Sequence, residues 1–401
     1  MRINRLLLVP VLCFACLVGC GSLTGPKSYS EEEKTNKKKQ WAAARANVLA
    51  SLGKEQYENG NFEKCRQTVN DALRMDPDNA PIRILSAKLA IEQGNLELAD
   101  KELVLARRLE PKNAEADYLG GVICQRWQRS EDALEYYRSA SEKQPSDLAY
   151  LMARAETLVS MGRSGEALTL LQEKVVYFEY SATIRDAVGE LLMQKGKHHQ
   201  AAEVLRQASI LAADDNNIRE HLALACFHDK QFADAADLFS RILHDDHYSK
   251  RVDLYLVLGE CQLKLNKPRD ARDNFELASQ LAPNQAAVWT GLGKAALQIN
   301  DLHRAELSIK RSLTIEPASS EANLLYGYVR LRQGKLQESL AAFKKASAID
   351  AGDTVSLCMI GYVLEKTGKS EEAMKYYARA LKMSPGDELA TRLLTQVQLD
   401  Q

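Results

Sequence analysis

Prolines punctuate this chain at a fixed interval. Pro77, Pro111 and Pro145 lie 34 residues apart, as do Pro283 and Pro317, and Pro385 falls two periods beyond Pro317. Counting on from Pro145 lands on Glu179, Ala213 and His247; the next step, to Pro283, is 36, so two residues are inserted there. A repeat of this length implies one supersecondary unit copied many times, each burying its apolar face against the next.

With proline at position 32 of the unit, position 8 reads Gly53, Ala87, Gly121, Ala155, Gly189, Ala223, Gly259, Gly293, Gly327 and Gly361. Position 20 is equally small: Cys65, Ala99, Ala133, Ala167, Ala201, Ala235, Ala271, Ala305, Ser339 and Ala373. Position 24 carries bulk, as in Leu103, Tyr137, Leu205, Phe239, Phe275, Phe343 and Tyr377, and position 27 is small again in most units. Small residues facing bulky ones let two antiparallel helices approach closely. Gly60, Gly94, Gly162, Gly196, Gly334 and Gly368 at position 15 mark the turn between them.

The pattern resembles the tetratricopeptide repeat (TPR) family, in period, in small–bulky–small spacing and in the terminal proline. The resemblance covers residues 46–387 as ten repeats. It implies an all-α, right-handed solenoid of helix-turn-helix units whose first helices line a groove. Repeats 1–6 occupy 46–249 and repeats 7–10 occupy 250–387, after the insertion; residues 388–401 form an amphipathic capping helix. Repeats 4 and 6 depart from the pattern, with Lys174 and Ile242 at position 27. That is either drift within the array or a hinge near Tyr248–Arg251.

Residues 1–19 read as a signal segment: Arg2 and Arg5, then the apolar run Leu6–Val18, too short to span a bilayer. Leu17-Val18-Gly19-Cys20 resembles a bacterial lipobox, which implies cleavage before Cys20 and diacylglyceryl attachment to its sulfur. Gly21 and Ser22 follow, with no Asp at the second position, which in bacteria with an outer membrane implies that membrane, facing the periplasm. Residues 20–45 read as the lipidated cysteine and a polar tether, with a helix start near Glu31 from the Ser30/Glu33 capping box. Lys37-Lys38-Lys39 reads as a solvated face, with anionic lipid as the alternative contact.

Composition and motifs exclude several function classes. Basic and acidic residues number 53 and 54, so the chain lacks the positive charge that holds nucleic acid. Once signal, tether, repeats and cap are assigned, no stretch remains for a catalytic domain, and no phosphate loop, dinucleotide fingerprint or HExxH occurs. No catalytic residue, cofactor or small-molecule substrate is expected. Cys65, Cys124, Cys226, Cys261 and Cys358 read as small buried hydrophobes. His198, His199, His221, His228, His244 and His247 cluster in sequence with Asp245 and Asp246, but nothing in the spacing converges them, and no metal site is expected.

In the TPR family, positions 2, 5, 9 and 12 of the first helix commonly face the groove. By that position carry-over, repeats 3 to 7 supply Glu115, Glu156, Asp186, Glu190, Glu220, Asp253 and Glu260 there, and no Lys or Arg at positions 2, 5 and 9. Position 12 is largely apolar and includes Phe227. Such a groove suits a basic or amphipathic segment of a protein partner; the alternative is that the acids are solvated or paired with Arg126, His228 and Lys264. The Lys/Asn clamp that some TPR proteins use for a C-terminal carboxylate is absent, since the first repeats carry Ala50/Lys54 and Ile84/Lys88. The resulting expectation is a non-enzymatic, lipid-anchored scaffold of the bacterial envelope, resembling TPR lipoproteins of pilus or secretion assembly. The alternative is a regulatory subunit docking on a cell-wall or polysaccharide-synthesis enzyme.

Overall fold

The computed structural model describes residues 30–399; the signal segment, Cys20 and the last two residues lie outside them. The described residues form 21 α-helices. The chain divides into two compact units between Gln144 and Pro145. The first holds α1 (Glu31–Glu58), α2 (Phe62–Met75), α3 (Ala80–Glu92), α4 (Leu96–Leu109), α5 (Ala114–Arg126) and α6 (Ser130–Lys143). The second begins with α7 (Leu148–Ser160), α8 (Ser164–Lys174), α9 (Ala182–Gln194), α10 (His198–Leu211), α11 (Asn216–His228), α12 (Phe232–Leu243), α13 (Val252–Lys264) and α14 (Pro268–Leu281). It ends with α15 (Ala286–Gln298), α16 (Leu302–Ile315), α17 (Ser320–Arg332), α18 (Leu336–Ile349), α19 (Thr354–Lys366), α20 (Ser370–Met383) and α21 (Glu388–Leu399).

Nine repeats open on a first helix of 13 residues that begins at position 1 of the sequence frame. The reason is a cap. Position 34 of the preceding unit is Asn79, Asn113, Asp147, Ser181, Asp215, Ser319 or Asp353 in seven cases, and each side chain accepts a backbone N–H of the first turn. Asp387 does the same for α21, through Ala390 N at 2.9 Å. Helix ends are set by left-handed backbone at position 15. Six glycines supply it, with φ of 69–79°, and Gln128, Lys230, Asn266 and Asn300 adopt it without being glycine, at 57–63°.

Position 8 meets position 24 as the sequence requires. A Cβ on Gly259 would lie 2.5 Å from Phe275 Cζ, and one on Gly293 would lie 2.5 Å from Ile309 Cγ1. Gly121, Gly189, Gly327 and Gly361 press likewise on Tyr137, Leu205, Phe343 and Tyr377. These position-24 side chains are buried, and Leu103, Phe275, Phe343 and Tyr377 sit within the apolar clusters of their repeats. The five cysteines are free and buried, and burial pushes the Cys226 and Cys358 thiols up to about 11 and Cys261 up to about 12. They stay protonated and pack as small hydrophobes. At the C-terminal end, α21 lays Ala390, Leu393 and Val397 into the cluster built by α19 and α20.

Three features differ from the sequence reading. Helix α1 is 28 residues long, so residues 31–45 are helical and continuous with repeat 1 rather than a tether; Ser30 and Glu33 do form the capping box. In repeat 4, α8 stops at Lys174 and gives way to a 3-10 turn, Val175–Tyr177, leaving Val176, Tyr177 and Tyr180 exposed. In repeat 6, α12 is 12 residues long and ends at Leu243, and the insertion that follows runs as turns.

Two substitutions test the frame in opposite directions. Gly293→Leu overpacks against Ile309 and lowers stability by about 1–3 kcal/mol, read as a lower urea midpoint. Gln128→Gly removes the Cβ from a left-handed position and raises stability by roughly 1 kcal/mol, read as a higher urea midpoint. Unchanged midpoints in both variants contradict the frame.

Candidate partner-binding groove

The acidic residues singled out by position lie on successive first helices, but few of them are bare. In the first unit, Lys88 of α3 pairs with Glu115 of α5. The same ammonium lies 5.8 Å from the Tyr57 ring centroid, and Tyr57 donates its hydroxyl hydrogen to Glu92 at 3.2 Å. Arg126, expected as a partner for these acids, instead donates to the Ile91 carbonyl at 2.8 Å.

In the second unit the acids fall into three clusters, each built from two carboxylates around one cation. His221 of α11 stands between Asp186 and Glu190, which are one turn apart on α9. Its Nδ1 is 2.8 Å from Asp186 Oδ1 and its Nε2 is 3.3 Å from Glu190 Oε1. Arg251, in the insertion, donates twice to Glu220, at 2.8 and 3.0 Å, and also to Asp253. Lys294 of α15 joins Glu260 of α13 at 2.6 Å to Glu321 of α17 at 2.7 Å. Glu156 of α7 is exposed. Each cluster therefore keeps one negative charge beyond what its cation offsets, provided His221 is protonated.

The protonation states follow from these contacts. The bond to Asp186 raises His221 above the ordinary histidine value; burial opposes this, and the charges of Asp186, Glu190 and Glu220 add to the rise. Burial pulls the Lys294 ammonium down, but its bonds to Glu260 and Glu321 outweigh that and leave it raised. The bonds from Arg251 hold Asp253 below the usual carboxylate range. One donor atom each from Asp186, Glu190 and His221 lies within 4.8 Å of the others, close enough to hold a metal ion. Both ring nitrogens already face carboxylates, however, and an imidazolium donating to both satisfies that geometry without one. The other histidines do not converge on this point: His198 stacks on His228 at 5.0 Å, and His199 pairs with Asp229 at 2.9 Å.

Beside the Lys294 cluster is a cavity of about 200 Å³. Phe227, Leu256 and Val257 give it an apolar side, and Glu260, Lys294 and Glu321 give it a charged one. Phe227 was found by its position; Lys294 and Glu321 were not, because they belong to repeats 8 and 9, beyond the acid-rich stretch. Arg251 and His221 were missed because they sit at the insertion and at position 6, off the positions that face the groove by carry-over. The partners expected from the sequence, His228 and Lys264, are not the ones that meet these acids.

The tetratricopeptide repeat family models match residues 56–121 and 189–249, and the model of the C-terminal domain of cilia and flagella-associated protein 70 matches residues 231–401. The chain is 29% identical over 167 residues to BBSome complex member BBS4 of Bos taurus, covering 41% of this chain and 31% of that protein. It is 23% identical over 188 residues to TPR repeat-containing protein MJ1428 of Methanocaldococcus jannaschii, covering 47% and 30%. The chain thus spans less than a third of either relative. A solved structure, the APC/C hetero-tetramer Cut9-Hcn1, superposes on 88% of this chain and 76% of that one, with a TM-score of 0.48 and 15% identity.

The His221 cluster gives a pH-dependent expectation. A group whose folded pKa is raised contributes its full stabilisation below the unfolded value, near 6.5, and loses it as pH rises through the folded value. Wild type should therefore exceed His221→Gln in urea stability at pH 5.5–6, with the gap closing toward pH 8.5 (pH range as roughly set by the ordinary histidine value). A gap that is constant or grows with pH contradicts the imidazolium clamp.

Proposed function

We propose that this chain, a tetratricopeptide repeat protein and hence a protein-interaction scaffold, is lipid-anchored in a bacterial envelope and receives a basic, amphipathic segment of a partner protein on its first helices. The observation that carries the groove reading is the cavity at Phe227 with the Glu260–Lys294–Glu321 cluster beside it. A buried apolar side chain and an adjacent Lys or Arg would find both their needs there: apolar wall, and carboxylate charge in excess of the resident cation. The shared-cation clusters at His221 and Arg251 continue the same chemistry on α9, α11 and α13, so a partner with repeated basic residues has successive points of attachment.

The anchor reading rests on the sequence alone: Arg2 and Arg5, the apolar run to Val18, and Leu17-Val18-Gly19-Cys20. A lipid on Cys20 is the attachment proposed; among the described residues no helix is long and apolar enough to cross a membrane. The outer membrane, facing the periplasm, is the proposed location, and assembly of a pilus or secretion machine is the proposed process. The tetratricopeptide repeat families matched are generally non-catalytic, and no catalytic role is proposed.

Two measurements test this. A photo-crosslinker at Val257 should capture a partner in envelope fractions, and one at exposed Glu203 on α10 should not. Phe227→Ala with Glu260→Lys should cut that capture by roughly tenfold or more, a loss of ~2 kcal/mol being typical where a central contact is removed. Cys20→Ser should release the chain from the membrane pellet or leave it unprocessed. Equal capture from both positions, or capture indifferent to the double substitution, removes the groove; a processed Ser variant that stays in the pellet removes the anchor.

A further inference from the structure

Helix α1 opens the first unit, and one of its faces is uncovered. Val48 at position 3 is 69% exposed, whereas Ile82 and Ala116 at position 3 of the next two repeats are fully buried. Leu52, at position 7, is also exposed. In line with them, at helical spacing of four and three residues, stand Lys34, Lys38, Trp41 and Arg45, all exposed, with Trp41 at 74%. The buried residues of α1, Ala46 and Gly53, lie roughly 110° round the helix from the centre of this stripe, at about 100° per residue. From Lys34 to Lys54 there are six basic residues and no acidic one. The acids of α1 lie at its two ends: Glu31, Glu32 and Glu33 in the first turn, where Glu33 closes the capping box and Glu31 pairs with Lys34, and Glu55 and Glu58 in the last turn.

An ordinary first repeat in such an array shows water a polar outer face. This one shows an indole flanked by cations and followed by aliphatic side chains. We propose that this stripe docks on an anionic lipid surface, with Trp41 at the headgroup level, Lys34, Lys38 and Arg45 among the anionic headgroups, and Val48 and Leu52 at the acyl boundary. Charge selects this occupant: a stripe with cations and no carboxylate over five turns complements a negatively charged bilayer, and tryptophan with basic residues is the composition that lies in the interface plane. The stripe also begins only 14 residues after Cys20, counted from Cys20 to Lys34, so the segment between holds it within reach of a membrane. The inference rests on the reading that the chain is held at a membrane, but docking needs no lipid on Cys20 itself. Its consequence is orientation: the first unit would sit on the membrane at an angle set by α1.

The test uses the full chain reconstituted into phosphatidylcholine vesicles, with or without phosphatidylglycerol, carrying brominated acyl chains. Trp41→Phe supplies the background from Trp127 and Trp289. Trp41 emission should be blue-shifted and quenched in the anionic vesicles and unquenched in the neutral ones. Lys34→Glu/Lys38→Glu/Arg45→Glu should abolish the quenching, since each basic residue near an anionic surface is worth about fivefold and three together roughly a hundredfold. Its far-UV circular dichroism should stay unchanged. Quenching that is equal in both lipids, or that survives the triple substitution, overturns the proposal. So does a Trp41 of the Cys20→Ser chain already shielded in buffer free of lipid and detergent, which would assign the stripe to the chain's own residues 1–29, or a shift that follows protein concentration, which would assign it to a second copy. Repeating the measurement with Cys20→Ser separates the two readings: retained quenching there leaves docking intact whatever becomes of the lipid attachment.

Discussion

The closeness of two helices in every repeat is the constraint on which the rest depends. A residue without bulk at position 8 lets an aromatic or branched side chain from position 24 lie against the backbone of the first helix. Phe275 shows how far this goes, being pressed by Gly259 of its own repeat and by Gly291 of the next. A side chain clasped on both sides binds a helix pair internally and binds it to its neighbour at once. That is how a chain with few aromatic residues can still build an extended core: its most deeply buried rings, Tyr137, Phe239, Phe275, Phe343 and Tyr377, all stand at this one position of the frame, where dense packing returns most dispersion energy per atom.

Sequence made this packing legible because it is local and periodic. The helix boundaries were less so. Six of the left-handed turn residues are glycine and could be read as C-caps; Gln128, Lys230, Asn266 and Asn300 take the same backbone with side chains that give weaker or no warning. There the flanking helices dictate the turn and the residue tolerates it, at a cost glycine avoids. The caps at position 34 were open to view in Asn79, Asn113 and Asp147, yet went unread beside the stronger proline signal two residues earlier. The start of α1 was read correctly from Ser30 and Glu33, but its continuity into repeat 1 was not, because a polar run looks alike as tether and as exposed helix.

The side-chain clusters of the proposed groove were half legible. Its acids and Phe227 follow from the frame. Its cations do not, because a side chain on one first helix meets one about 27 to 35 residues away on the next, as Lys294 meets Glu321 and His221 meets Asp186. Reading only one class of positions in one block of repeats left out Arg251, Lys294 and Glu321. A row of uncompensated carboxylates on adjacent helices would repel itself, with like charges raising one another's pKa. The clusters resolve that conflict by sharing one cation between two acids, so the surface stays acidic while every cluster is held in place.

Arg251 shows what such an arrangement costs and returns. It stands at the cap position before α13, where the preceding repeats carry Asn, Asp or Ser, and its side chain makes no cap. A missing cap of this kind costs a helix about 1 kcal/mol. In exchange the guanidinium, projecting from the inserted residues, reaches Glu220 on α11 with a two-pronged contact and Asp253 on α13 with another. Planar forked recognition of carboxylates is what arginine does and lysine does not. The two extra residues and the lost cap thus read as one feature: a local departure from the repeat that ties α11 to α13 where the capping pattern is broken. In an array of near-identical units, a contact that uses one unit's irregularity is also what makes that stretch of surface different from the others.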